Sequence, residues 1–463
     1  MIRRLLIICI LLLAVPGYTF AALSAEEAAK LGGPNLTVFG AEKAGNKDGT
    51  IPPYTGGITK GSDGWYYEGK LKVPSSKFDP AKQTQRPDPF ADDKPLFTIT
   101  AQNMSQYADK LTPGTQELFK VFNGYKMHVY PTRRSVNYRP EVVDGTKKSA
   151  VTAKLEKNGT HLTGARCGIP FPLTKNGLEA VWNHLVRWVG TTELGKYESY
   201  VINAAGRAIR TSLGIYRLEY PYWDPKHPMG DTLCIIRDEV LAPPNRAGEG
   251  LLWKFMIDQS KGNPAWQYLP GQRRVKLAPE IAYDGPNTSV AGAATYDESY
   301  GYNGAPDRFE WTLLGKKEIY IPYNVYRLQY HSKGRDVMTP QFVNPDYVRW
   351  ELHRVYVVEG KLKPQFRHIF KRRVMYMDED TWYVMVHDEF DHKDQVYRVV
   401  NTAQVFNYDH NAQWTCGYWG YDLIAGIYYF NAYTGDEGTG PRYVPSLPPA
   451  ELSPAALAGA GIR

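Results

Sequence analysis

The ten histidines of this chain stand at 128, 161, 184, 227, 331, 353, 368, 387, 392 and 410. None falls in His-Glu-x-x-His, the spacing that sets two imidazoles on one helix face around zinc with a glutamate as base. The densest group is His387-Asp388-Glu389 with Asp391-His392, and the same residue types suit a solvated strand end and its turn. His184 reads as a packed or exposed helix residue. Gly64-x-x-x-x-Gly69-Lys70 has the outline of a phosphate loop, but Leu71 replaces the hydroxyl such a loop needs, and Trp65-Tyr66-Tyr67 fill it. There is no Gly-x-Ser-x-Gly elbow and no Gly-x-Gly-x-x-Gly turn. The sequence therefore names no catalytic residue, no metal and no cofactor. A hydrolase assembled from distant residues is the chemistry that pattern leaves open.

One stretch does suggest recognition. Trp266-Gln267-Tyr268-Leu269-Pro270-Gly271-Gln272-Arg273-Arg274-Val275-Lys276 reads as a hairpin that leaves aromatic residues and enters a basic strand. At a cavity mouth, the rings would meet an apolar tail and the arginines an anionic head group, through bidentate contacts. Tyr283 and Arg308 complete the candidate ligand-binding set of Trp266, Tyr268, Arg273, Arg274, Tyr283 and Arg308. The alternative is a solvated strand with aromatic cross-strand packing, its arginines neutralised by Asp297, Glu298 and Asp307.

Strands must position most of these residues. Tyr125, Met127 and Val129 alternate, as do Trp350, Leu352, Tyr356 and Val358, with Arg354 interrupting. From Phe370 to Val400 the pattern is an antiparallel meander. One strand ends at Met377, Asp378-Glu379-Asp380 turns, a second strand runs from Thr381 to Glu389, and a third follows around Val396–Val400. Trp382, Val384 and Val386 point to one face and Tyr383, Met385 and His387 to the other. Both faces need cover, one from helices and one from a core, partner or ligand. Asn103 caps a segment through Leu111, and Thr112-Pro113 starts a new helix. Asn176 caps a second, with Leu178, Val181, Trp182, Leu185 and Val189 at helical spacing and Gly190 at its end. This helix is expected on the concave side of the sheet.

The chain opens Met1-Ile2-Arg3-Arg4, runs apolar from Leu5 to Val15 and reaches Thr19-x-Ala21, the three parts of a secretory signal peptide. The apolar run of about 11 residues is too short to cross a bilayer core of ~30 Å, and Cys9 lies inside it, where lipidation does not occur. Residues 1–22 are thus expected to be removed and the protein to work in the periplasm. The formal charge of +7 at pH 7 falls to +5 without Arg3 and Arg4; spread among acids, this does not suggest a nucleic-acid partner. Cys167, Cys234 and Cys416 would remain, an odd number with neither metal nor redox spacing. The chain is 13% aromatic, with 34 Tyr, 11 Trp and 16 Phe, residues that favour strands and line apolar cavities.

Ser24–Gly32, Gly40–Asn46, Asp48–Pro52, Gly168-Ile169-Pro170-Phe171-Pro172 with Asn176–Ala180, Pro270–Val275, Pro306-Asp307-Arg308 with Gly315–Glu318, and Asp378–Trp382 form a set spread over nearly the whole chain. Together they resemble an exported proteobacterial family known as domain of unknown function family 1329. Cys167 stands where that family pattern has glycine. The resemblance implies a β-rich α+β fold: a large, curved, antiparallel half-barrel like the LolA/LolB lipoprotein carriers, covered by helices, with an extended N-terminal arm. The Gly, Pro, Asn, Asp and Lys of residues 32–95 read as an extended, turn-rich arm laid over the main body and pinned by Trp65-Tyr66-Tyr67. The Pro-, Ala- and Gly-rich stretch after Gly438 reads as a mobile tail. The arm is thus set at 23–95, the half-barrel at 96–438 and the tail at 439–463. The resemblance also implies work beside an inner-membrane resistance-nodulation-division permease and an outer-membrane protein. The function expected is a non-enzymatic carrier or accessory protein for a hydrophobic or lipid-like molecule. A scaffold that docks a transporter without a small ligand is the alternative.

Overall fold

The computed structural model describes residues 22–228, 230–414, 417–436 and 440–460. The apolar run of the expected signal peptide and Cys416 lie outside the described residues. Alternating apolar side chains produce one 16-stranded sheet. In spatial order it runs Arg274–Leu277, Ala265–Leu269, Gly250–Met256, Thr232–Ala242, Ala208–Glu219, Thr192–Ile202, Ile427–Tyr433, Tyr418–Asp422, Val396–Thr402, Val384–Phe390, Arg372–Asp378, Trp350–Leu362, Lys126–Val129 and Phe97–Thr100. Phe309–Pro322 also pairs with Trp350–Leu362, and Arg442–Tyr443 with Thr192–Ile202. Among these strands all pairings are antiparallel except one parallel bridge, Trp350 to Val129. The two ends do not meet, so the sheet is an open half-barrel rather than a closed one.

The meander appears as expected, with two changes of register; in one, Glu389 faces Arg398 but Phe390 faces Val396, and the other lies between the first two strands. Tyr376 faces Val386 but Met377 faces Val384, so Met385 is the extra residue of a bulge. The second strand starts at Val384, because Trp382 takes φ 62 and prolongs the turn. Every residue of Val384–Phe390 is buried. The face carrying Asp388 is covered by the helix Pro113–Val121, to whose first turn the carboxylate is bonded: Gly114 N and Thr112 Oγ1 donate to it at 2.8 and 3.0 Å. The face carrying His387 and Glu389 is covered by the short helix Tyr296–Gly301.

Asn176 caps Gly177–Leu185 by accepting from Glu179 N. The helix packs on Phe309–Pro322 and Trp350–Leu362, and it stops at Leu185, four residues before the Val189 that its apolar spacing suggests. Arg187 closes its end by donating to the His184 carbonyl at 2.8 Å. A further helix, Pro140–Thr152, was not legible in the sequence.

The arm holds a three-stranded sheet, Ile58–Lys60, Gly64–Tyr67 and Lys70–Pro74. Trp65 and Tyr67 are buried and Trp65 packs on Phe78 and Tyr408, so the arm shares the main core. The tail, expected to be mobile, is packed instead. Leu452 and Leu457, on the short helices Pro449–Leu452 and Pro454–Ala460, are buried against Ile235, Leu252 and Tyr268. Arg237 donates to the carbonyls of Glu451 and Ala456. Widely spaced leucines supply the apolar surface that the tail's composition conceals.

Candidate functional site

A cleft of about 770 Å³ opens beside the Pro140–Thr152 helix. Close backbone approach forms its wall. A Cβ on Gly145 would stand 1.9 Å from the Cys167 carbonyl oxygen, and one on Gly168 would meet the Gly145 carbonyl carbon at 2.2 Å, so only glycine fits at either position. Between them Cys167 takes φ 55, the left-handed region that favours glycine. This is the physical reason a glycine is expected there. Burial pushes the Cys167 thiol up from its ordinary value, which holds it protonated and unsuited to nucleophilic attack.

The floor is aromatic. Trp188 and Trp223 meet edge to face with ring centroids 4.9 Å apart, each anchored by its indole N–H, to Asn411 O at 2.7 Å and to Arg187 O at 3.2 Å. Around the rim stand Arg139, Lys148 and Arg166, with Glu141 and Asp144. Arg166 is spent on the carbonyls of Gly230, Pro221 and Asp224. Arg139 lies over the Trp188 ring at 5.9 Å and pairs with Glu141 at 2.5 Å. Arg139 and Thr191 also line a neighbouring cavity of about 250 Å³, where His410 stacks on Tyr443 at 4.3 Å. An apolar aromatic floor under a few cations, at a volume within the usual range of about 300–1,000 Å³ for ligand pockets, suits an amphiphile with an anionic head.

The residues singled out from sequence are divided. Trp266 and Tyr268 lie on the face covered by the C-terminal helix. Arg273 and Arg274 are exposed at the hairpin tip. The acids considered as their partners are engaged elsewhere: Asp297 with His368 and Arg373, Glu298 with Arg398, and Asp307 with the Tyr283 hydroxyl. Tyr283 and Arg308 do meet, the guanidinium 3.4 Å from the ring centroid. Tyr283 lines a smaller cleft of about 380 Å³ with Trp253, Ala265 and Leu277, at the other end of the hairpin from its arginines. Trp188, Trp223 and Arg139 were not singled out, because they come together only through the fold; the departure from glycine at Cys167 was the single local signal near them.

In the group His387-Asp388-Glu389, His387 Nδ1 bonds Glu389 at 2.9 Å while Asp388 turns to the opposite face. His184 is buried, its ring between the Trp382 and Tyr302 carbonyls; burial and the nearby Arg187 hold it well below the usual imidazole range. Cys167 and Cys234 are free thiols.

An open antiparallel half-barrel flanked by an aromatic, cation-rimmed cleft is the class of protein that fold and site define. The chain belongs to the family described as Protein of unknown function (DUF1329), whose model matches residues 98–458. It is similar to the uncharacterized protein PA3922 of Pseudomonas aeruginosa, with 38% identity over 453 residues, 96% of this chain and 95% of that protein. Among solved structures, a DUF1329 family protein from Desulfovibrio piger aligns with TM-score 0.41 and 13% identity, covering 58% of this chain and 92% of that one. The LolA superfamily protein NE2245 from Nitrosomonas europaea aligns with TM-score 0.37 and 9% identity, covering 60% and 98%. Among the described residues no helix is long and apolar enough to cross a membrane.

Proposed function

We propose that this protein is a periplasmic carrier or accessory protein that holds a hydrophobic, lipid-like molecule with an anionic head in the Trp188–Trp223 cleft, and that it serves an envelope exporter built from an inner-membrane permease and an outer-membrane protein. The observation that carries this reading is the pairing of two anchored indoles with Arg139 above one of them, Trp188. The tail of the ligand lies on the tryptophans, and its head displaces Glu141 from Arg139. The tripartite N-terminus supports the periplasmic location.

The test has two arms. Protein recovered from periplasm is extracted with organic solvent and the extract examined by mass spectrometry. A fluorescent fatty acid is then titrated into wild type, Arg139→Ala with Lys148→Ala, and Arg273→Ala with Arg274→Ala. Because Arg139 is partly open to water, its loss should weaken binding by about three- to tenfold, while the hairpin pair should change it less than about threefold. Equal affinity in wild type and the Arg139 variant would remove the ligand from this cleft. An extract free of amphiphile together with no binding would favour a scaffold without a small ligand.

A further inference from the structure

The turn Asp378-Glu379-Asp380 is completely buried, which is rare for three consecutive acids. Segments of the arm and of residues 130–138 cover it, and most of its charge is paired. Arg134 grips Asp380 with two bonds of 2.8 and 2.6 Å. Arg354 and Lys316 reach Glu379 at 2.7 and 2.9 Å, and Lys316 also reaches Glu42. Arg349 bonds Glu351 and Asp93, and Arg133 bonds Asp93. The carboxylates Glu42, Asp93, Glu351, Asp378, Glu379 and Asp380 thus face the cations Arg133, Arg134, Lys316, Arg349 and Arg354. Among the described residues the set holds one more carboxyl than it has lysines and arginines, and Asp378 is the acid with neither; the basic group nearest to it is His353.

The surroundings of Asp378 show where the missing charge belongs. Its Oδ2 accepts from Thr381 Oγ1 at 2.7 Å and Tyr323 OH at 3.3 Å. Its Oδ1 is buried with no hydrogen-bond partner among the described residues and stands 3.7 Å from His353 Nδ1. A proton shared between the two would draw them to about 2.7–2.9 Å. Two donors that each stand about 2.1 Å from one metal ion lie about 3–4 Å apart. His353 Nε2 is held by Glu351 Oε2 at 3.1 Å, and Tyr323 stacks on the imidazole at 4.0 Å, so the ring is fixed with Nδ1 toward the aspartate. A carboxylate on the far nitrogen is the usual support of a metal-bound histidine. Asp380 is the third group: one donor atom from each of His353, Asp378 and Asp380 lies within 4.8 Å of the others.

We propose that His353, Asp378 and Asp380 bind one divalent transition-metal ion of the zinc or manganese type, which one imidazole and two carboxylates suit. The ion supplies the cation that Asp378 lacks and staples the turn to the Trp350–Leu362 strand beneath the arm. Because the site is buried, the ion enters during folding and exchanges slowly.

The test unfolds the mature protein in denaturant with chelator, refolds it with Zn²⁺ or Mn²⁺, desalts it and counts metal by mass spectrometry. Wild type and the surface control Asp394→Asn should each retain about one ion per chain with one of the two metals, and Asp378→Asn and His353→Gln less than a tenth of that. Wild type that refolds without retaining either metal overturns the proposal, as do variants that retain as much as wild type. If neither variant folds, X-ray absorption on the metal-loaded wild type decides. A single imidazole with oxygen donors is expected, and a sulfur ligand or several imidazoles overturns the assignment.

Discussion

At Cys167 the identity of one side chain bears directly on the shape of the backbone that carries it. A side chain at φ 55 is strained by roughly 1–3 kcal/mol, and its thiol makes only a long contact of 3.6 Å with the Tyr222 carbonyl. Cys167→Gly should therefore raise stability by about 1 kcal/mol in denaturant titration, whereas Cys167→Ala keeps the strain and should not. A destabilised glycine variant would mean that the thiol's packing outweighs the strain. Asp388 is a residue whose chemistry the sequence hid, since an acid near a strand end reads as solvated. Burial pushes its carboxyl up to about 7, above an unfolded value of about 3.9. Between those values the folded protein keeps a proton that the unfolded chain has released, so stability falls as pH rises, by up to about 1.4 kcal/mol per pH unit for this group. Denaturation midpoints measured from pH 4 to 8 should show this slope, and Asp388→Asn should flatten it. An unchanged slope would place the effect on the other carboxyls that burial lifts, Glu389 and Asp238 to about 7 and Asp88 to about 6.

Elements were legible where their buried face is large and regular. The 370–400 meander could be read because period-two apolar runs are separated by short charged turns, and the Asn176 helix because a capping asparagine opens its apolar stripe. The Pro140–Thr152 helix buries only Val142, Thr146, Ser149 and Ala150, with Gly145 between them, so no apolar stripe marks it. The C-terminal helices have the same defect, although their effect on the hairpin is large. Leu457 closes over Gly250 and the Tyr268 face. Leu457→Ala should lower stability by about 2–4 kcal/mol. Ending the chain before Leu447 should also expose Trp266 and Tyr268 to a hydrophobic dye. Truncation without a gain in dye fluorescence would show that this face closes by itself.

At the scale of the molecule, the half-barrel outline was contained in the family resemblance and the aromatics of the arm pointed to its place over the body, but the ion pair that joins the two was not legible. Arg86 donates to both oxygens of Asp409 at 2.7 and 2.9 Å with neither side chain accessible, a pairing across more than 300 residues that no local pattern announces. Arg86→Ala leaves Asp409 buried with only His410 beside it, at 3.1 Å, and should cost about 3–5 kcal/mol. Arm and body should still unfold in a single transition, seen alike by tryptophan fluorescence and circular dichroism. Two separated transitions would mean that the arm is an independent unit.

The order of strands has a further consequence, for time rather than stability. Twelve of the sixteen strands form two sequential runs, Thr192–Leu277 and Trp350–Tyr433, each built largely from neighbours in the chain. They are joined by a seam where Phe430 faces Tyr200 and the register slips before Tyr433. Each run can zip by short loop closures, but the seam must close a loop of more than 200 residues, so it forms late and slowly. Until it does, Ile427–Tyr433 and Thr192–Ile202 are both open edges of the kind that pair with other chains. A newly made chain is therefore most exposed to aggregation in the interval between two finished half-sheets and one whole one. Pulsed hydrogen exchange during refolding should find the amides of these two strands among the last to be protected.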